Sequence, residues 1–296
     1  MMNKVLEKVL RLVSKMPFGF HYALSRISYI LLFYVIGYRR QAVYSNLTNS
    51  FPNKGKKEIS QIAKKFYQNF CDFIVEILKL ITIDEKQLHQ KISLSPQSIS
   101  LMHYWYGKKR NIIVLSGHVF NWEYCIVFPR FTDYKVLVTY QPLKSKFWEK
   151  IIKSMRERFG GIAIDYKMTF REIIKYKNNN YLTLTWICGD QMPRFDSKVA
   201  ANIPFLNQPT YFFNGTNSIA KKTNAVVFFL EMKKEKNKKY KAVYHLITDN
   251  PKSVDDLFIM KKYSGLLEKL IEEQPDNWLW SHKRWKNMPD KEKMSE

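Results

Sequence analysis

Two hydrophobic periodicities run along the chain. Residues 1–16 (MMNKVLEKVLRLVSKM) place Val5, Leu6, Val9, Leu10, Leu12 and Val13 at mostly helical spacing, with Lys4, Lys8, Arg11 and Lys15 between them. That pattern predicts a basic amphipathic helix. Pro17 stands just after it, where a continued helix would be costly. Residues 18–38 are strongly apolar and aromatic but carry His21 and Arg26. The uninterrupted apolar run, 27–37, is about half the length of a bilayer span. Gly37-Tyr-Arg-Arg40 follows it instead of a small-residue cleavage site. The expectation for residues 1–38 is a membrane-associating segment, lying on a bilayer or partly inserted, with its bases toward headgroups. A buried helical hairpin and a tilted single span are the alternatives.

Beyond it the periods alternate. Residues 60–81 align Ile62, Phe66, Phe70, Phe73, Ile74, Ile77 and Leu78 on one helical face. Residues 111–115 (NIIVL), ended by Ser116-Gly117, and 134–139 (YKVLVT) read as buried strands. Residues 146–158 are helical up to Gly160-Gly161, 161–164 suit a strand, and 169–176 a helix. Residues 181–186 (YLTLTW) are β-branched and apolar, and 225–233 with 239–248 form a hairpin pattern about Lys236-Asn237. A last helix is expected over 253–273. Strands alternating with helices predict an α/β fold with a mostly parallel central sheet. No repeat or linker-like stretch divides the chain, so 1–296 is expected to be a single domain.

Composition narrows the partners. With 15% aromatic residues the chain has a core to bury, which excludes a disordered basic tail. Three distant cysteines, Cys71, Cys125 and Cys188, form no disulfide framework and no CxxC pair. The 49 Lys and Arg against 26 Asp and Glu give a formal charge of +23, which implies an anionic partner: nucleic acid, an anionic membrane or an acidic protein. The bases are spread, with clusters at 54–57, 108–110, 233–241 and 282–286. Any one cluster reads most simply as a solvated face. No helix-turn-helix, zinc-finger or RNP-like pattern supports nucleic acid.

Among six histidines, His118 stands apart, directly after a buried strand in Leu115-Ser-Gly-His-Val-Phe-Asn-Trp-Glu-Tyr124. Residues at such strand ends face the crevice where α/β proteins bind ligands, and Gly117 is expected to let the chain turn sharply there. Were Asn121 to cap the next helix, Glu123 would fall in its first turn and fold back toward the imidazole. A carboxylate on one ring nitrogen makes the other a better base for deprotonating a hydroxyl. The spacing alone recurs by chance; the strand-end position raises it. A second polar cluster, 187–193, also follows a strand, so Asp190 and Gln191 reach the same rim, unless it is simply a polar turn. Arg156, Arg158 and Arg171 are suited to phosphate or to ordinary surface pairs. No Walker loop, G-x-S-x-G elbow, HExxH or G-x-G-x-x-G is present, and no zinc set is apparent.

Four stretches together resemble the lipid A biosynthesis acyltransferases (the lauroyl/myristoyl transferase group) of the wider lysophospholipid acyltransferase superfamily. They are Gly37-Tyr-Arg-Arg-Gln-Ala-Val-Tyr-Ser-Asn-Leu47 with Phe51-Pro52, the H-x4-E block from His118 to Glu123 with its Asn-Trp-Glu triplet, Asp190-Gln191 followed by Ile203-Pro-Phe205 and Phe212-Phe-Asn-Gly215, and the C-terminal 275–286 (PDNWLWSHKRWK). The resemblance covers nearly the whole chain. It implies a glycerolipid-acyltransferase-like fold and transfer of an acyl chain from acyl-carrier protein to a hydroxyl of a lipid A precursor. The thioester would ride on the carrier's phosphopantetheine, with no cofactor or metal bound by the enzyme. It makes His118 the general base and Glu123 its partner. It associates Asn121, Trp122, Arg156, Arg171, Asp190 and Gln191 with the crevice and the acceptor. The implied location is the cytoplasmic face of the inner membrane, with no nucleic acid. A lysophospholipid, ornithine lipid or amino-acid lipid is the alternative acceptor. Two departures stand out: Phe205-Leu-Asn-Gln208 lacks a Gly that many members have, and Cys188 precedes Gly189-Asp190.

Overall fold

The computed structural model describes residues 2–192 and 200–286. Met1, in the expected first helix, and Pro193, in the second polar cluster, lie outside them. The N-terminal third is helical: α1 (Met2–Lys15), α2 (Phe18–Ile30) running into a π-helical turn (Leu31–Ile36), α3 (Arg40–Ser50), α4 (Lys56–Leu80) and α5 (Glu85–His89). Strand β1 (Ile92–Leu94), α6 (Pro96–Gly107) and β2 (Ile112–Ser116) lead to a 3-10 stretch (Trp122–Phe131). Then come β3 (Lys135–Tyr140), α7 (Lys146–Glu157), β4 (Ile162–Asp165), α8 (Thr169–Asn178) and β5 (Thr183–Cys188). The described chain resumes with β6 (Ala200–Phe205) and β7 (Gln208–Phe213). It ends with α9 (Gly215–Thr223), β8 (Val226–Lys234), β9 (Tyr240–Thr248) and α10 (Phe258–Glu273).

The central sheet has seven strands in the order β1-β9-β8-β2-β5-β3-β4, and every pairing is parallel except β8 with β9. This is the expected mostly parallel α/β architecture. β2 lies in mid-sheet and all five of its residues are buried, as a strand covered by helices on both faces must be. The β8/β9 hairpin falls where it was expected. The β6/β7 hairpin was not expected. Its strands pair Pro204 with Pro209, and prolines argue against a strand. They are tolerated because this sheet has only two strands, so each has an open edge. Its turn holds Leu206 at φ 51° and Asn207 at φ 59°, a conformation glycine adopts more easily. Glu268 compensates by accepting the Leu206 N–H at 2.7 Å, and the buried Leu206 side chain adds packing. That is how the chain makes this turn without a glycine.

Helix α4 is buried on two sides. One side carries the expected aromatic stripe: Phe66 and Phe73 stack on Phe120, and Phe73 meets Trp122 at 4.2 Å. Ile74, expected on that face, is exposed. The other side buries Asp72, Glu76 and Lys79 against α1 and α2. Those two helices are amphipathic in the inverted sense. α1 docks through Ser14, which bonds Lys79 O at 3.2 Å and Thr82 Oγ1 at 2.7 Å, while Val5, Val9 and Leu12 face outward. α2 turns His21 and Ser25 inward and exposes Phe20, Ile27 and Ile30, and the exposure continues through Leu31, Tyr34, Val35 and Ile36. A buried hairpin is therefore not what forms. The stretch Phe18–Ile36 is also long and apolar enough to cross a membrane.

At the end of α7 the chain must pass close to itself. A Cβ on Gly161 would sit 2.8 Å from the Arg156 carbonyl oxygen, a backbone atom that cannot swing aside. Gly161→Ala is expected to cost about 1–3 kcal/mol by overpacking. Thermal unfolding followed by circular dichroism checks this, and an unchanged Tm would refute it.

Candidate active site

The register of two parallel strands builds the site. Ser116, the last residue of β2, pairs with Cys188, the last residue of β5. His118 and Asp190 each stand two residues beyond these ends, so both emerge at one level of the crevice. His118 Nδ1 lies 2.5 Å from Asp190 Oδ1. Asp190 Oδ2 accepts the His118 backbone N–H at 2.8 Å and the Trp278 indole N–H at 2.7 Å. Asp190 is buried, which pushes its carboxyl up, but His118 and these hydrogen bonds outweigh burial and hold it at about 2 instead of 3.8. An ionised Asp190 can only accept, so Nδ1 carries the ring proton and Nε2 presents its lone pair toward the opening. There the Gln191 side-chain amide donates to it at 3.1 Å.

Glu123 is not the imidazole's partner. Asn121 does cap the following turn, its Oδ1 accepting the Glu123 N–H at 3.0 Å, but the Glu123 carboxylate turns to Arg156 of α7. Arg156 donates Nε to Glu123 Oε2 at 3.0 Å and Nη2 to Oε1. The Trp122 indole N–H adds a bond to Oε1 at 3.2 Å. Burial pulls the Arg156 guanidinium down, and the Glu123 charge more than restores it. The reason is charge matching: the buried carboxylate goes to the half-buried Arg156 guanidinium beside it, and the ring nitrogen is already taken by Asp190.

A cavity of about 720 Å³ opens in front of this arrangement. His118, Trp122, Arg156 and Gln191 stand on its polar side; Val138, Ile152, Trp186, Ile187 and Ile219 give it apolar walls. Trp122 also packs edge-on against His118 at 4.8 Å. Of the other expected residues, Asn121 is fully buried and spends both ends of its amide on Glu76 and Glu123, so it does not face the cavity. Arg171 is exposed on α8 and does not line it. Gly117 has a different reason than a sharp turn. A Cβ there would lie 2.6 Å from Leu267 Cδ1 and 3.4 Å from Asp190 Oδ2, so absence of a side chain lets α10 close on the site. Cys188 touches Ser116 Oγ at 3.2 Å and burial pushes its thiol up to about 12, so it stays a neutral wall residue.

Three C-terminal residues escaped the reading of single residues. Trp278 braces Asp190. Burial pushes His282 down to about 4, so it is neutral near pH 7. Arg284 is fully buried beneath Phe212, at 5.0 Å from the ring, and donates to Tyr211 O at 2.5 Å. Their only sequence signal was the tryptophan-rich 275–286 block.

The family model for the bacterial lipid A biosynthesis acyltransferases matches residues 5–287. The chain belongs to that family. It is an acyltransferase of lipid biosynthesis. No curated protein matches it by sequence. Among solved structures it is similar to the 1-acyl-sn-glycerophosphate acyltransferase PlsC of Thermotoga maritima. The two are 14% identical with a TM-score of 0.36, over 88% of this chain and 99% of that one.

The depressed Asp190 carboxyl links the site to acid stability. Its contribution is full above 3.8 and is lost as pH falls through about 2. Chemical unfolding from pH 5 to pH 2 should therefore cost the wild type ~2 kcal/mol more than Asp190→Asn. Equal losses in the two proteins would remove Asp190 as an ionised partner of His118.

Proposed function

We propose that this acyltransferase moves a fatty acyl chain from the phosphopantetheine thioester of acyl-carrier protein onto a hydroxyl of a lipid A precursor, with His118 as general base. The observation that carries the reading is the His118–Asp190 dyad, its unprotonated Nε2 facing an apolar-walled cavity of about 720 Å³.

The acceptor hydroxyl takes the place of the Gln191 amide at Nε2 and gives its proton to His118 as its oxygen attacks the thioester carbonyl. The imidazolium formed is stabilised by Asp190 on its other side. The tetrahedral oxyanion needs donors. Arg156 supplies them: Nε and Nη2 are held by Glu123, and Nη1 makes no protein hydrogen bond among the described residues. The C–S bond then breaks, the thiolate takes the proton from His118, and the products are an ester and a free thiol. Glu123 fixes Arg156 in this account and does not touch the imidazole.

The site works on a surface. The outward apolar side chains of α1 and α2 enter the cytoplasmic leaflet of the inner membrane, and the basic exterior adds attraction to anionic headgroups and to an acidic carrier protein. The phosphates of the acceptor are drawn by the same field.

In a purified assay read by mass spectrometry, His118→Ala should cut acylation about 10²–10⁴-fold with the fold intact. Near-wild-type product from that variant would sink the mechanism. A deletion strain should lose one acyl chain from its lipid A; loss from a different lipid would replace the acceptor. Leu12 and Val35 are 66% and 71% exposed, so Leu12→Glu with Val35→Glu should strongly reduce co-sedimentation with anionic vesicles. Unchanged co-sedimentation would argue against this face as the membrane contact.

A further inference from the structure

Asp72, Glu76 and Lys79 are buried on α4, on the side away from the aromatic stripe, and none of them lines the cavity. Glu76 is the most enclosed and the most heavily bonded. Its Oε1 accepts from Tyr22 Oη of α2 at 2.9 Å, and its Oε2 accepts from Asn121 Nδ2 at 3.0 Å and Tyr240 Oη at 3.4 Å. Packing alone would be served as well by an apolar side chain of this size, because burying a carboxylate is costly. What the carboxylate adds is a fixed set of acceptors joining α2, β9 and the turn after His118.

Asn121 is the important partner. Glu76 holds one end of its amide, and the other end holds the Glu123 N–H at 3.0 Å. Glu123 in turn holds Arg156. Three hydrogen-bonded steps thus run from Glu76 to the guanidinium in the cavity. The turn itself begins a 3-10 stretch, without a full α-helical ladder to set its rotation. Phe73, Phe120 and Trp122 fix its depth by stacking, but apolar contact is not directional and a hydrogen bond is.

We propose that Glu76 is a positioning residue: through Asn121 it orients the turn that aims the Glu123–Arg156 pair, and His118 beside it, at the cavity. The inference rests on the acyltransfer mechanism given above for what the pair does.

Asp72 provides the matched control. It is buried one turn earlier on α4 and is bonded to α2 through Ser25 Oγ at 2.8 Å and to Lys238 Nζ at 2.8 Å, with no bond to Asn121. Glu76→Met keeps volume and removes the acceptors. It should lower kcat about tenfold or more with KM for the thioester donor within about twofold, and Glu76→Gln, which keeps one acceptor for Asn121, should restore most of the loss. Asp72→Leu should lower Tm yet leave kcat within about twofold of wild type. Asn121→Ala cuts the same link from its other end, so the double variant with Glu76→Met should be no slower than the slower single. Amide hydrogen exchange gives a readout without turnover: residues 121–127 should exchange faster in Glu76→Met and Asn121→Ala, and at the wild-type rate in Asp72→Leu. Should Glu76→Met fail to fold, Asn121→Ala carries both measurements. Equal kcat losses in the Glu76 and Asp72 variants, or unchanged exchange at 121–127, would overturn the proposal. A wild-type protein that transfers no acyl group would refute the mechanism instead, and the exchange result would still decide the positioning role.

Discussion

Much of the crevice hangs on the buried Asp190 carboxylate. It gathers the turn after β2 by the His118 N–H, the imidazole by Nδ1, and the C-terminal segment by the Trp278 indole. A buried carboxylate with too few donors would be protonated or unfold its surroundings. Here three donors come from two segments far apart in sequence, and together they hold the buried carboxylate ionised, His118 contributing most. The bond to Nδ1 also fixes the tautomer, leaving Nε2 as an acceptor. Folding and the fixing of the imidazole tautomer are therefore one event at this site.

The two acid–base pairs of the crevice then divide the work by geometry. His118–Asp190 lies across neighbouring strand ends, whose register is rigid. Glu123–Arg156 spans a 3-10 turn and a helix, elements joined mainly by side chains. The first is placed by the sheet and braced from outside it by Trp278. The second depends on what holds the turn, and the turn sits on α4. The same helix carries the two N-terminal helices on its polar side. An inverted arrangement follows: hydroxyls face inward, those of α2 to buried carboxylates and Ser14 of α1 to Lys79 O and Thr82, and aliphatic side chains face out. In water alone it would be unfavourable, and against a bilayer it is not.

The sheet was legible because parallel strands covered on both faces read as short apolar runs, as at 111–115 and 181–186. Their ends shifted by a residue or two, which changes nothing about the crevice. The turn from Asn121 into Glu123 was legible too, because capping is local. The imidazole's partner was not. His118 and Asp190 are 72 residues apart, and only the pairing of β2 with β5 brings them together. The sequence placed both at strand ends without saying that those strands are neighbours. Glu123 was near in sequence, yet Arg156 had the stronger claim on it. Prolines hid the β6/β7 hairpin, and Glu268, which supports its turn, lies 62 residues from Leu206. Asp72 and Glu76 were hidden by the habit of counting only apolar residues on a helix face.

The charge surplus also changes meaning once burial is known. Among the described residues six charged side chains are buried, and four of them are acids: Asp72, Glu76, Glu123 and Asp190. The chain as a whole has almost twice as many bases as acids. Folding therefore withdraws acidic groups preferentially and leaves the exterior more basic than the sequence total. The withdrawn acids each orient a specific donor, whereas the exposed bases act together as a field. Salt separates the two roles. A field from exposed lysines is screened within about 8–10 Å at physiological ionic strength, while buried pairs are screened much less. Rising salt should weaken the exposed field and leave the buried pairs nearly unchanged. Exposed bases and buried acids thus sit in different dielectric surroundings, and the outer field can be tuned without retuning the buried pairs.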